Sequence, residues 1–278
     1  MYLRTLAKAI LPERIIHFIR VIIRVTNQLL NRATNGLLGR RRIRKHLEKY
    51  KGLSIEDTFD EIYRSKVWAG ETDKLSGEGS YGEWAARYIE LLLTFIKNNH
   101  IKSITDIGCG DFNIGKDACN FVEKYFATDV SREIIERNRI KFKKLKNVEF
   151  IHANACIDPI PQADLVTIRQ VLQHLTNQQI ESILENIEKS GAKFALVTEH
   201  MVRPDRMAAP NIDLPSQSAV IRTALRSGVL INEWPFSRSA KSIATFAVVT
   251  ASRDWFSDDE ILSVFLWDIG AHRKSLAS

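Results

Sequence analysis

The chain has 278 residues, of which 45% are hydrophobic and 26% charged, which excludes disorder throughout and permits a large buried core. Three cysteines without a CxxC pair argue against a disulfide framework and favour a reducing compartment. The formal net charge of +7 is unevenly distributed, because residues 1–51 carry +11 and the remaining residues −4.

The basic leader, residues 1–51, contains an apolar stripe with helical period between residues 12 and 30. Arginines interrupt this stripe every few residues, so it is too polar for a transmembrane helix and lacks the uncharged core of a signal peptide. We interpret the leader as a helix lying on an anionic membrane surface, which locates the protein in the cytoplasm at the inner face of the membrane. Packing on the rest of the chain or on a partner, and contact with nucleic acid, are the alternatives.

After the leader, predicted helices and strands alternate along one domain, residues 52–278. Helices are predicted at 55–68, 81–97, 112–124, 131–145 and 178–189, and strands at 102–108, 124–130, 147–153, 163–171, 191–200 and 242–251. Two of the helices follow a capping box, formed by Ser80 with Glu83 and by Thr176 with Gln179.

This alternation predicts a parallel sheet with helices on both faces, that is, a doubly wound α/β fold. In such sheets ligands bind beyond the carboxyl ends of the strands, where the strand order reverses. The first predicted strand ends in DIGCGD, residues 106–111. We therefore expect the ligand to lie against this segment.

The two glycines of DIGCGD, Gly108 and Gly110, allow a turn with positive φ and a close approach to the backbone. A dinucleotide site would need a third glycine at Asn113, which is absent. Asp106 and Asp111 flank the glycines, and their carboxylates would repel a pyrophosphate but suit a cationic ligand.

These residues resemble the class I S-adenosylmethionine-dependent methyltransferases over about residues 60–250. DIGCGD is similar to the family's loop around the methionine part, and Asp129 stands where the family has an acid for the ribose hydroxyls. Asn154 and the segment 163–176 are similar to the parts that contact adenine and the methyl centre. The resemblance implies a Rossmann-like, seven-stranded, mostly parallel sheet and S-adenosylmethionine as cofactor. It implies these cofactor-binding residues: Asp106, Gly108, Cys109, Gly110, Asp111, Asp129, Val130, Asn154, Ala155, Arg169 and Gln170. Asp129 as a helix cap and Asn154 as an ordinary turn residue are the alternatives.

SGEGSYGEW at 76–84 resembles the SGxGS loop of one bacterial branch, in which it precedes the first strand and covers the cofactor. NID at 211–213, Arg222 and WPF at 234–236 resemble a later segment of that branch. Its members often accompany the biosynthesis of surface polysaccharides and methylate hydroxyls. Phe112 departs from the family, which commonly has a third glycine there.

Methyl transfer to a sugar hydroxyl needs a base that removes the hydroxyl proton. Glu199, His200 and Asp213 are the candidates, and we rank His200 first because a neutral imidazole accepts a proton near pH 7. His174 and Arg222 are candidate acceptor-binding residues, although a histidine among apolar neighbours such as His174 is more often buried and structural.

The expected activity is therefore methyl transfer to a hydroxyl of a glycan or lipid-linked glycan at a membrane face. A nucleic-acid methyltransferase is disfavoured because the fourth-strand segment lacks the family's proline motif, and a small-molecule acceptor is a further alternative. A noncatalytic binding or scaffold protein is the alternative of another class. No spacing of histidines and cysteines predicts a metal site.

Overall fold

The computed structural model describes residues 48–69, 74–247 and 260–271. The chain divides into two units, Met1–Glu48 and Lys49–Ser278, and all helices and strands named below belong to the second. The predicted leader helix lies outside the described residues, as do residues 248–251 of the last predicted strand.

Seven strands form one sheet in the order β3-β2-β1-β4-β5-β7-β6. They are β1 (Ser103–Ile107), β2 (Lys124–Asp129), β3 (Val148–His152), β4 (Leu165–Arg169), β5 (Phe194–Val202), β6 (Ala240–Ala247) and β7 (Glu260–Asp268). The first five strands pair in parallel, whereas β7 pairs antiparallel with both β5 and β6. This confirms the predicted doubly wound, mostly parallel architecture.

The α-helices of the described parts are α1 (Ile55–Arg64), α2 (Gly82–Asn98), α3 (Gly115–Ala118), α4 (Arg132–Lys141) and α5 (Asn177–Lys189). Two apolar clusters cover the sheet. One contains the inward faces of α1 and α5, and the other those of α2 and α4. Strands buried on both faces have continuous apolar runs, which explains why LVTI in β4 and ALV in β5 do not alternate with polar residues.

Several local predictions can be compared with this fold. The capping box of Thr176 and Gln179 is confirmed at the start of α5. The box predicted for α2 is wrong: Tyr81 is the N-cap residue and makes no side-chain cap bond, because Ser80 ends a 3₁₀ turn, Glu78–Ser80. The helix predicted at 112–124 is only the short α3 followed by a 3₁₀ turn, and β7 was not among the strands read from the sequence.

Strand register brings the ligand-edge residues together. Ile107 of β1 is level with Thr128 of β2 and with Ile168 of β4. Consequently Gly108, Asp129 and Arg169 all lie at the same edge of the sheet. The strand order reverses between β1 and β4, so this edge is the topological switch point.

Candidate active site

The glycine turn after β1 is anchored to the neighbouring strand. The backbone N–H groups of Gly108 and Cys109 both donate to the carbonyl oxygen of Thr128, at 2.8 and 2.9 Å. Gly108 has a φ of 72° and Gly110 a φ of 53°, as the sequence predicted for this turn. A Cβ on Gly108 would overlap the side chain of Val171. The side of Gly108 on which other residues carry a Cβ therefore packs against the segment after β4.

Asp129 ends β2 with both carboxylate oxygens turned to backbone donors. Its Oδ2 accepts the N–H of Gly110 at 3.0 Å and its Oδ1 the N–H of Ser131 at 2.9 Å. The cap of α4 is the side chain of Ser131, which accepts from the N–H of Ile134, so Asp129 is not the capping residue. Burial raises the pKa of Asp129 to about 6, against the lowering effect of these two hydrogen bonds. Each oxygen keeps a lone pair, which suits a pair of vicinal hydroxyls.

Asp106 lies behind the turn. Its carboxylate accepts the hydroxyl of Tyr125 at 3.0 Å and that of Thr167 at 2.9 Å. Burial raises its pKa to about 6. Because both oxygens accept hydrogen bonds from within the sheet, the geometry supports the indirect role of Asp106, which is to fix the turn.

The SGEGS segment, residues 76–80, closes over the same turn. The Oγ of Ser76 accepts the N–H of Asp111 at 2.7 Å, and the N–H of Ser76 donates to the Asp111 carboxylate at 3.3 Å. Tyr81 donates its hydroxyl to the same carboxylate oxygen, and Asn113 donates to the carbonyl of Ser80 at 2.6 Å. The other oxygen of Asp111, Oδ1, is buried and accepts no hydrogen bond from the described residues.

The sequence analysis did not identify two aromatic residues, one in α1 and one in the turn after it, that pack against each other. Tyr63 is 7% exposed and meets Trp68 edge-to-face, with ring centroids 5.6 Å apart. Burial, followed by the charge of Asp129, raises the pKa of Tyr63, so its phenol stays a hydrogen-bond donor at neutral pH. The predicted helix gave no signal for this role, because Asp129, whose charge acts on Tyr63, is distant from it in sequence.

Asn154 lies in an ordinary turn after β3, as the alternative prediction stated. Its Oδ1 accepts the N–H of Cys156 at 3.0 Å, and its own N–H donates to Asp158 at 2.7 Å. Ala155 accepts a hydrogen bond from α5 through its carbonyl, and the carbonyl of Val130 lies 3.0 Å from the ring of His152.

The residues after β4 contact the SGEGS segment. Gln170 has a φ of 56° and donates its N–H to Thr198 at 2.7 Å. A Cβ on Gly79 would overlap the Gln170 side-chain amide. Arg169 donates to the carbonyl of Gly79, and its guanidinium lies 5.1 Å from the ring centroid of Tyr88.

Glu199 does not have the geometry of a base. It is fully buried, and its two oxygens accept the N–H groups of Leu172 and Gln173 at 3.1 and 3.0 Å. Burial raises its pKa to about 8. The carboxyl group therefore braces the turn after β4 and does not face a substrate.

Arg222 and Asp213 likewise make hydrogen bonds to other parts of the chain. Arg222 is fully buried and donates to the carbonyls of Ile212 and, at 2.6 Å, Leu175, so it joins these two segments. The side chain of Asp213 is 55% exposed and accepts the N–H of Asn177 at 2.7 Å, at the first residue of α5.

The two histidines differ in their surroundings. His174 has its Nδ1 3.0 Å from the carbonyl of Ser218, and burial lowers its pKa to about 4. These surroundings agree with the alternative prediction, a buried histidine with a structural role. His200 has its Nε2 2.9 Å from Oε2 of Glu260, and both side chains are buried. Glu260 begins β7, the strand missing from the sequence prediction, so no sequence signal pointed to this pair.

Comparison with known proteins decides the chemistry of this edge. Residues 105–192 match a protein-family model described as a methyltransferase domain. The chain contains a methyltransferase domain. Its methyl donor is S-adenosylmethionine, and the matched residues contain the glycine turn, Asp129 and the end of β4.

A solved structure shows the same fold. The N-methyltransferase NodS from Bradyrhizobium japonicum WM9, in complex with S-adenosyl-L-homocysteine, is 14% identical and has a TM-score of 0.53. The alignment covers 74% of this chain and 97% of that one. Magnesium protoporphyrin IX methyltransferase (ChlM) from Synechocystis PCC 6803 is 10% identical over 77% of this chain and 97% of its own, with a TM-score of 0.47. None of the curated proteins matches the sequence.

The residues of this methyltransferase fit the donor chemically. The buried Oδ1 of Asp111 without a hydrogen bond suits an ammonium group, and the Asp129 carboxylate suits hydroxyls. Burial raises the pKa of the Cys109 thiol, which disfavours the nucleophilic thiolate. Within the described ranges, no helix is long and apolar enough to cross a membrane, and no group of three His, Cys, Asp or Glu could hold a metal ion.

Proposed function

We propose that this methyltransferase methylates a hydroxyl of a glycan or lipid-linked glycan at a membrane face. The observation that carries the hydroxyl acceptor is the buried pair of His200 and Glu260, 2.9 Å apart at the ligand edge of β5. A hydroxyl must lose its proton during transfer, and a carboxylate beside an imidazole stabilises the charge that the imidazole gains on accepting it.

Other residues of this edge have separate roles in binding the methyl donor and the acceptor. When bound, S-adenosylmethionine supplies an electrophilic methyl group on a sulfur that is its own leaving group. Asp129 accepts the ribose hydroxyls, and the turn 108–111 binds the methionine part. The SGEGS segment, tied to Asp111 through Ser76, keeps water from this part of the site. His200 accepts the proton of the acceptor hydroxyl.

The glycan and the membrane are supported by the sequence alone. The SGEGS loop, NID at 211–213 and WPF at 234–236 resemble a branch that serves surface polysaccharides. The leader adds thirteen basic side chains within residues 1–51, which suit anionic headgroups.

The test is transfer of a radiolabelled methyl group by the full-length chain to three acceptor fractions: a lipid extract of bacterial envelopes, an amine-bearing alkyl glycoside, and RNA. We expect label in the envelope lipids, recovered as a methyl ether by mass spectrometry. His200→Gln should lower kcat and leave the affinity for S-adenosylhomocysteine unchanged. Label only on the amine or RNA, or in no fraction, would overturn the proposal.

A further inference from the structure

A cavity of about 500 Å³, open to solvent, lies beside β3, the strand at one end of the sheet order. Residues from the end of α4 to β3 line it. They include the apolar side chains of Phe142, Leu145, Val148 and Ile151 and the cationic ones of Arg139 and Lys143. No lining residue belongs to the candidate active site, so the cavity is a separate feature of the domain.

The rim of this cavity is basic. Residues 137–147 carry six basic side chains and no acidic one. Three of them, which we call the rim lysines, are Lys143, Lys144 and Lys146. They are exposed, and their side chains form no hydrogen bond or ion pair with another described residue. Lysines without a partner leave their charge available to an anionic ligand.

The acids at the cavity do not neutralise the rim lysines. Glu149, which lines the cavity, pairs with Lys124 at 2.8 Å. Glu136 pairs with Arg139. Each of these carboxylates therefore has a cation of its own, and the charge of the rim lysines remains in excess.

Two kinds of partner fit this surface poorly. The guanidinium of Arg139 donates two hydrogen bonds, at 3.1 and 2.7 Å, to the carbonyl of Phe150 in the edge strand, so a further strand cannot pair with that carbonyl. Single-stranded nucleic acid stacks its bases on free aromatic faces. Phe142 packs against Phe112, with ring centroids 5.2 Å apart, and the Nζ of Lys141 lies 5.0 Å from the centroid of the Phe142 ring.

Apolar surface accompanies the positive charge. Besides the cavity lining, Ile140 in the last turn of α4 is 74% exposed. An anionic phospholipid matches both properties, because it has a phosphate beside acyl chains. We propose that this cavity binds an anionic phospholipid of a membrane surface, with the phosphate on the rim lysines and the adjoining apolar part in the cavity. The inference rests on the membrane of the proposed function, but needs neither its glycan nor the leader.

The test is cosedimentation of the full-length chain with phosphatidylcholine vesicles, with and without phosphatidylglycerol. The first variant changes the three rim lysines to Gln. The second, Val148→Phe, fills the cavity without changing the charge. The matched control removes the same charge from exposed lysines elsewhere, by Lys97→Gln, Lys189→Gln and Lys241→Gln. A fourth variant changes the leader, by Arg40→Gln, Arg41→Gln and Arg42→Gln. Far-UV circular dichroism checks that each variant is folded.

We expect the wild type to bind only the vesicles that contain phosphatidylglycerol. The rim variant should lose about 100-fold in affinity, because each lysine at an anionic surface contributes about fivefold. Val148→Phe should lose about fourfold, the equivalent of one buried methylene group. The control variant should lose less than about threefold, since its lysines do not contact the membrane.

Four results would overturn the inference: equal losses in the rim and control variants, wild-type binding by Val148→Phe, loss in the leader variant alone, or binding of inorganic phosphate or RNA by the rim lysines without binding of vesicles. Because no methyl transfer is measured, failure of the glycan proposal cannot produce any of them.

Discussion

The carboxylate of Asp129 accepts the backbone N–H of Gly110 at 3.0 Å, across the gap between β2 and the turn after β1. The two most informative parts of the sequence, the acid after the second strand and the glycine turn, therefore hold each other in place. A change at either residue should disturb both the ribose site and the methionine site.

The reciprocal bonds between Ser76 and Asp111 predict energetic coupling. Ser76→Ala removes the bond that the Asp111 N–H donates, and Asp111→Ala removes the bond that the Ser76 N–H donates. Either loss loosens the contact that the other bond needs, so the double variant should lose less stability than the two single losses together, by about 0.5–3 kcal/mol. Urea denaturation of the four proteins measures this coupling. Ser182→Ala, on the outer side of α5, is the control and should be additive with Asp111→Ala. Additivity of the first pair would contradict a closed SGEGS segment.

Phe112 combines an unfavourable backbone with a favourable side chain. Its φ is 61°, and its fully buried ring packs against Tyr125, Phe142 and Phe150. Phe112→Ala should cost about 3–5 kcal/mol of unfolding free energy from lost packing. Phe112→Gly should be about 1 kcal/mol more stable than Phe112→Ala, because glycine adopts positive φ without strain. Urea denaturation decides between them, and a glycine variant weaker than the alanine variant would contradict this view of the turn.

Glu199 predicts a pH dependence of stability. Its pKa is raised from 4.5 to about 8 in the folded protein, so between these values the folded chain holds a proton that the unfolded chain releases. The free energy of unfolding should therefore fall as pH rises, by at most about 1.4 kcal/mol per pH unit from this group. Glu199→Gln cannot release a proton, so the stability of wild type relative to this variant should fall between about pH 5 and pH 8. A difference that stays constant with pH would show that Glu199 does not titrate in this way.

The sequence predicted the ligand edge because its signals are local. DIGCGD follows one strand and Asp129 ends the next, and parallel pairing brings both to the same edge. The cap of α5 was equally local, since Thr176 and Gln179 are three residues apart.

Residues that depend on distant contacts could not be found in this way. Glu260 reaches His200 only because β7 inserts antiparallel between β5 and β6. Tyr63 meets the glycine turn through the packing of α1, and Glu199 is turned to the segment after β4 by the alternation of β5. A charged side chain at the end of a strand has the same sequence pattern whether it braces a turn or faces a substrate.

The central claim is that the edge at Asp129 binds S-adenosylmethionine. The most direct test is calorimetric titration of the full-length chain with S-adenosylmethionine and, separately, NADH, repeated for Asp129→Ala. Asp117→Ala, an exposed acid on α3, is the control. We expect micromolar binding of S-adenosylmethionine by the wild type and by the control, its loss in Asp129→Ala, and no binding of NADH. Absence of S-adenosylmethionine binding by the wild type, or equal affinity in Asp129→Ala, would contradict the account.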